Sequence, residues 1–224
     1  MAACTLRIWV CYCSLEFCPL IGVIGRSGAG KNVVSRLLAE RGCYCIDADA
    51  RTRELLESYG DSIVERFQVA AAARGLSLRR KDGGLHSAHL GVLLFSEPKL
   101  LQQHEEFLLP KVTRLLCEDI ARAQAARPKA IVLNAPTLHK TELLQACSFV
   151  LYIWAPSILR MWRCKKRERV SFTHLLRRFS AQKGFYAQSI AQNADTYTVA
   201  NCGRVASLAR KVDCILTRRG VLGE

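Results

Sequence analysis

Leu20-Ile21-Gly22-Val23-Ile24-Gly25-Arg26-Ser27-Gly28-Ala29-Gly30-Lys31-Asn32-Val33-Val34 is the stretch on which the fold turns. Residues 20–24 are a short apolar run of the kind that forms a buried strand. The run enters Gly25 to Lys31, which matches G-x-x-x-x-G-K, and residues 32–41 continue as a helix closed by Gly42. Strand, glycine-rich loop and helix in this order build a phosphate site. Glycines let the loop turn tightly round an anion with backbone N–H groups inward, the helix presents its positive end, and Lys31 reaches the outer phosphates.

Working outward, similar apolar runs recur at 44–46, 130–133, 149–154 and 197–199, each bounded by turn residues and separated by helical patterns. Residues 99–126 are helical by composition and by the spacing of Leu108, Val112, Leu115 and Leu116. One or two further helices are expected within 157–193. A last amphipathic one spans 205–216, with Val205, Leu208, Val212 and Ile215 on one side. Buried strands alternating with helices predict an α/β fold, a three-layer sandwich around a parallel sheet. Residues 70–90, with Arg74, Arg79, Arg80, Lys81 and the turn Asp82-Gly83-Gly84, read as a surface connection between helices.

The chain has 224 residues, half of them apolar and 23% charged, which suits one globular core, alone or with a small insertion. Its 33 Lys plus Arg against 19 Asp plus Glu give a net charge of +14, which implies phosphate-bearing partners without choosing between nucleotides, nucleic acid and anionic lipid. No clustered aromatic platform of the kind that stacks bases is present, so nucleic acid is the less favoured partner. The eleven cysteines include Cys11/Cys13 and Cys43/Cys45, whose spacing is not that of zinc or redox motifs. Their odd number and scatter point to reduced thiols in a cytoplasmic protein. Residues 1–19 are apolar, but Arg7 is their one basic residue and Glu16 interrupts them, so they read as a leader rather than a secretory signal. No other segment reaches the roughly 18 apolar residues of a spanning helix, so no membrane partner is expected.

Two features beside the loop carry chemistry. A phosphate loop of this type normally ends in Ser or Thr, whose hydroxyl coordinates the magnesium bridging the outer phosphates. Asn32 offers an amide oxygen on a longer arm, so magnesium-nucleotide binding is expected to be weakened rather than abolished. The second strand runs into Asp47-Ala48-Asp49. If the chain stays extended there, both carboxylates project from the carboxyl edge of the sheet, where one could accept a substrate proton and the other hold Mg2+ through water. Asp49 could equally cap the helix that begins near Ala50.

These segments resemble the dephospho-coenzyme A kinase family of P-loop kinases. The resemblance is carried by Ile21 to Lys31, by Val34 to Gly42 running into Ile46-Asp47-Ala48-Asp49, and by Asp82-Gly83-Gly84-Leu85 with Leu94-Phe95-Ser96-Glu97-Pro98. It continues through Val132-Leu133-Asn134-Ala135-Pro136, Trp154-Ala155-Pro156, Asn193-Ala194-Asp195 and Val199-Ala200-Asn201. It implies a P-loop NTPase fold over 20–217, with a helical acceptor-binding region at 58–127, a lid at 157–182 and a tail at 218–224. It also implies transfer of the γ-phosphate of ATP, with Mg2+, to the ribose 3′-hydroxyl of dephospho-coenzyme A. By the resemblance, Gly25, Gly28, Ala29, Gly30, Lys31, Asn32 and Val33 hold the ATP phosphates, Asn201 lies near the adenine-side loop, and Asn32 and Asp47 face the metal. Lys31, Asp49, Arg163 and Arg167 form the catalytic set, the two arginines coming from the lid.

The chain departs from the family pattern besides Asn32. Leu85-His86-Ser87 stands for Leu-Asp-Arg, Leu109-Pro110 for His-Pro, Asn134-Ala135-Pro136 for Asp-Val-Pro, and Ala200 for an aspartate. Each change removes a charge or a polar group, which leaves two alternatives open. One is a catalytically impaired nucleotide- or RNA-binding P-loop protein, and the other is a P-loop kinase for another small molecule. Oligomeric state is not legible.

Overall fold

The computed structural model describes residues 18–135, 141, 143–167 and 195–223. The leader before Cys18, most of the expected lid and the helix leading to Asn193 lie outside the described residues. The chain divides into two compact units, Met1–Ala48 with Cys117–Glu224, and Asp49–Leu116.

The first unit is built on a five-stranded sheet, β1 (Leu20–Ile24), β2 (Tyr44–Asp47), β3 (Ile131–Asn134), β4 (Phe149–Trp154) and β5 (Thr196–Ala200), in the order β2-β3-β1-β4-β5 with every pairing parallel. All five apolar runs read from the sequence are strands. The central ones are apolar on both faces because helices cover both faces of a parallel sheet. The outer strands β2 and β5 are only partly buried.

Helix α1 (Lys31–Glu40) follows β1 through the glycine-rich loop. Its buried Val34, Leu37 and Leu38 recur at helical spacing. It stops at Gly42, whose φ of +87° only glycine adopts freely; the Gly42 N–H donates to the Ala39 carbonyl and the Cys43 N–H to that of Leu38, which satisfies two terminal carbonyls. The last helix described in the chain ends in the same way at Gly220. That helix, Val205–Arg218, packs Leu208, Val212 and Leu216 beside α1 on one face of the sheet, over Ile21, Val23, Val132, Phe149, Leu151 and Ile153. Arg41 at the end of α1 forms a two-pronged ion pair with Asp213 of that helix and donates to the Leu37 carbonyl at 2.7 Å.

The second unit is helical. Helix α2 (Ala48–Ser58) leads into it, followed by α3 (Gly60–Ala72), α4 (Ser87–Ser96) and α5 (Pro98–Ala125), which runs uninterrupted past Pro110. Its core gathers Ile63, Val64 and Phe67 of α3 with Leu90, Leu93 and Leu94 of α4. The connection expected at 70–90 is partly helix. Between α3 and α4 the chain makes a tight turn in which Arg79 and Leu85 bridge antiparallel and the Asp82 carboxylate accepts from the Gly84 N–H. Remaining helices in chain order are α6 (Leu143–Ala146), α7 (Ser157–Arg167) and α8 (Val205–Arg218).

The extended geometry expected for Asp47-Ala48-Asp49 does not form. β2 ends at Asp47 and α2 starts at Ala48, so Asp49 lies in the first turn of a helix, where the exposed N–H groups favour a carboxylate. The two aspartates therefore do not share a strand face.

The core makes an ordered prediction. Leu38 is fully buried under the sheet, so Leu38→Ala is expected to lower the unfolding free energy by about 2–5 kcal/mol. Arg41→Ala, which removes a partly solvated ion pair, should lower it by about 1 kcal/mol. Urea unfolding of the two variants checks that order; equal losses would contradict the packing described.

Candidate functional site

The loop between β1 and α1 is held from three sides. Gly25, Gly28 and Gly30 all have positive φ, at 154°, 77° and 101°. A Cβ on Gly28 would stand 2.5 Å from the Arg160 carbonyl and 2.9 Å from the Cys164 Sγ, so α7 packs directly on the loop. A Cβ on Gly25 would stand 2.5 Å from the Ile153 carbonyl of β4, and one on Gly30 would collide with the Asn201 amide. Glycine is required here by the close approach of neighbouring chain as well as by backbone angle.

Asn201 follows β5 and is buried. Its side-chain amide donates to the Ala29 carbonyl at 2.8 Å, and its backbone N–H donates to Trp154 at the end of β4 at 2.7 Å. Arg163 of α7 donates to the carbonyls of Ala29 and Asn201, at 3.5 and 3.2 Å. Lys31 curls over the loop with Nζ 2.9 Å from the Gly25 carbonyl oxygen. Gly30 is the N-cap of α1, so the first N–H groups of the helix, which have no carbonyl partner inside it, open at the loop. The loop carbonyls are thus tied down by Asn201, Arg163 and Lys31, and the positive end of α1 opens at the loop, an arrangement suited to polyphosphate.

Arg160 was not singled out in the sequence as a site residue. It is 4% exposed and donates to Ser157 Oγ at 3.1 Å and to the loop carbonyl of Ser27 at 3.4 Å. Burial, reinforced by the nearby Arg26 guanidinium, pulls it below the usual arginine range. The spacing Arg160, Arg163, Arg167 along one helix was the available signal, since i, i+3 and i+7 share a face.

At the carboxyl edge of the sheet Asn134 closes β3. It is buried, in register with Asp47 of β2 and Val23 of β1, and its side-chain amide donates to Asn32 Oδ1 at 3.1 Å. The Asn134 Oδ1 is buried with no hydrogen-bond partner. An orphaned oxygen, a second amide and the Asp47 carboxylate along one edge are hard oxygen donors and fit a small divalent cation. Among the described residues no three His, Cys, Asp or Glu side chains gather into a cluster, so such an ion would be held chiefly by substrate oxygens and water.

The structure thus brings together Gly25, Gly28, Ala29, Gly30, Lys31, Asn32, Arg163 and Asn201, with Asp47 at the neighbouring strand end. Val33 is half-buried on α1 and packs toward the sheet. Asn201 spends its amide on the loop itself. Asp49 belongs to the second unit. Arg167 ends α7, and its side chain lies outside the described residues. The loop generates a prediction: Gly28→Ala, which forces a Cβ against the Arg160 carbonyl at an unfavourable φ, should weaken nucleotide binding at least about tenfold. Calorimetric titration with an ATP analogue measures it, and unchanged affinity would refute the packing.

Comparison with known proteins gives a consistent result. A family model described as Dephospho-CoA kinase matches residues 19–204. A dephospho-CoA kinase of Treponema denticola is 43% identical over 202 residues, covering 90% of each chain. Among solved structures, a protein of Thermus thermophilus aligns with a TM-score of 0.73 at 25% identity, over 90% of this chain and 97% of that one. A dephospho-CoA kinase of Campylobacter jejuni aligns with a TM-score of 0.57 at 17% identity over the same shares, a likeness of fold. With its loop, sheet order and sequence all in agreement, the chain belongs to the dephospho-CoA kinase family.

Proposed function

We propose that the chain transfers the γ-phosphate of ATP to the ribose 3′-hydroxyl of dephospho-coenzyme A, giving coenzyme A and ADP, the last step of coenzyme A synthesis. The observation that carries this reading is the glycine-rich loop from Gly28 to Lys31, held in shape at the N-terminus of α1 by α7 and Asn201, in a chain of this family. Phosphoryl transfer asks little covalent chemistry of the protein and much positioning and charge neutralisation.

The loop N–H groups and Lys31 bind the outer phosphates. The Asp49 carboxylate orients the acceptor hydroxyl and takes its proton as the bond between the 3′ oxygen and the γ-phosphorus forms and the β–γ bridging bond breaks. Arg163 and Arg167 are the candidates to neutralise the charge spread over the transferring group, for which a guanidinium fork is well shaped. A magnesium ion bound with the nucleotide would supply charge neutralisation. Asn32, Asn134 and Asp47 are the residues that would hold it.

The enzyme is read as cytoplasmic and its partners as ATP and dephospho-coenzyme A. No described helix is long and apolar enough to cross a membrane. Burial pushes the partly buried Cys45 up to about 11 and the buried Cys147 up to about 12, so both stay protonated, which suits a reducing compartment.

With dephospho-coenzyme A and magnesium-ATP the purified protein is expected to form ADP, and nucleoside monophosphates are not expected to replace the acceptor. No ADP formation would favour a nucleotide-binding protein without transferase activity, and equal rates with another acceptor a different kinase. Asp49→Asn should lower kcat about 10²–10⁴-fold while leaving the melting temperature within a few degrees of the parent. A kcat within twofold of the parent would remove Asp49 from the reaction.

A further inference from the structure

P-loop kinases receive magnesium with a matched pair, a hydroxyl at the end of the loop and a carboxylate at a strand end. The hydroxyl donates to the carboxylate and keeps a lone pair for the ion, and the carboxylate brings a negative charge. In this chain both members are asparagine, and they touch: the Asn134 amide donates to Asn32 Oδ1 at 3.1 Å. That bond occupies part of the oxygen Asn32 would offer, and it leaves the buried Asn134 Oδ1 as an acceptor without a donor. The pair contributes no charge. In the row of strand ends, Asp47 lies in register with Asn134 and carries a carboxylate.

Resting on the kinase reading above, we propose that Asn134 acts as a positioning residue that works through Asn32. The bonded amide couple makes nucleotide binding depend little on a divalent ion, and the dependence usual for P-loop kinases returns only when both side chains are exchanged together. The reason is complementarity. Asn32→Ser alone withdraws the acceptor from the Asn134 amide and leaves a buried donor unpaired, while the edge stays neutral. Asn134→Asp alone brings the charge but no hydroxyl, and Asn32 must turn its amide toward the new carboxylate. Only the hydroxyl with the carboxylate recreates a donor, an acceptor and a charge in one unit.

The test is calorimetric titration of a non-hydrolysable ATP analogue, with magnesium and with excess chelator. It is run on the parent, Asn32→Ser, Asn134→Asp and the double variant, with the melting temperature of each recorded without ligand. The ratio of the two dissociation constants is the readout, because a merely structural role for Asn134 would shift stability and not this ratio. The parent is expected to bind within about threefold with or without magnesium, and Asn32→Ser to leave that ratio unchanged. Asn134→Asp should raise it modestly, and the double variant to about tenfold or more, beyond the product of the single effects. If Asn32→Ser with Asn134→Asp fails to fold, Asn32→Thr with Asn134→Asp takes its place. A parent already binding tenfold tighter with magnesium, or a double variant equal to the product of the singles, overturns the inference and leaves the kinase reading standing. Analogue that binds to no variant and not to the parent overturns both.

Discussion

The Ala29 carbonyl is where the working edge of the sheet is tied together. It lies in the turn between β1 and α1, and it accepts from the Asn201 amide at 2.8 Å and from Arg163 at 3.5 Å. Three separate segments, the first loop, the helix after β4 and the turn after β5, thus meet on one oxygen. Leaving a buried amide such as that of Asn201 without its partner costs about 1–3 kcal/mol, so the loop conformation is enforced by its neighbours. The glycines follow from this constraint. Gly30 lacks a Cβ because the Asn201 amide occupies its place, and Gly28 because the Arg160 carbonyl does. A loop shaped before nucleotide arrives spends little of the binding energy on its own ordering.

Much of this was legible in the sequence because it rests on local patterns. Five apolar runs predicted five strands, and the glycines and Lys31 marked the loop at the first strand-to-helix junction. Boundaries where one pattern passes into another were not legible. In Ile46-Asp47-Ala48-Asp49 either aspartate suits an N-cap, so the residues alone leave open whether the helix begins at Ala48 or near Ala50. The division between the helices 48–58 and 60–72 rests on Ser58 and Gly60, a weak breaker signal within a helical pattern, and becomes definite only in the packed chain.

Contacts between distant residues were the other gap. Asn32 and Asn134 each stood out as a departure, yet they lie 102 positions apart, and no periodicity tells that one amide meets the other. Their joint departure was the signal, because two losses at one site can compensate. Asn201, read as lying near the adenine-side loop, spends its side chain holding the phosphate loop. Arg160 stood close to Arg163 and Arg167 in the sequence, yet its burial shows only in the packed chain.

The net charge of +14 acquires a location in part. Arg26, Arg160 and Arg163 stand around the loop, and Arg26 is near enough to Arg160 to disfavour its charge further. A positive field over the loop raises the local concentration of polyphosphate substrates. Elsewhere, pairs such as Arg51 with Glu54 and Arg80 with Asp82 are short-range surface pairs that add little to stability. These features converge on phosphoryl transfer from a nucleotide held at the loop. Phosphorus NMR of a reaction containing ATP, magnesium and dephospho-coenzyme A tests that transfer most directly. The account predicts a new phosphomonoester signal, coupled to the ribose 3′ proton, that grows in step with ADP. ADP appearing without it, or neither appearing, would contradict the account.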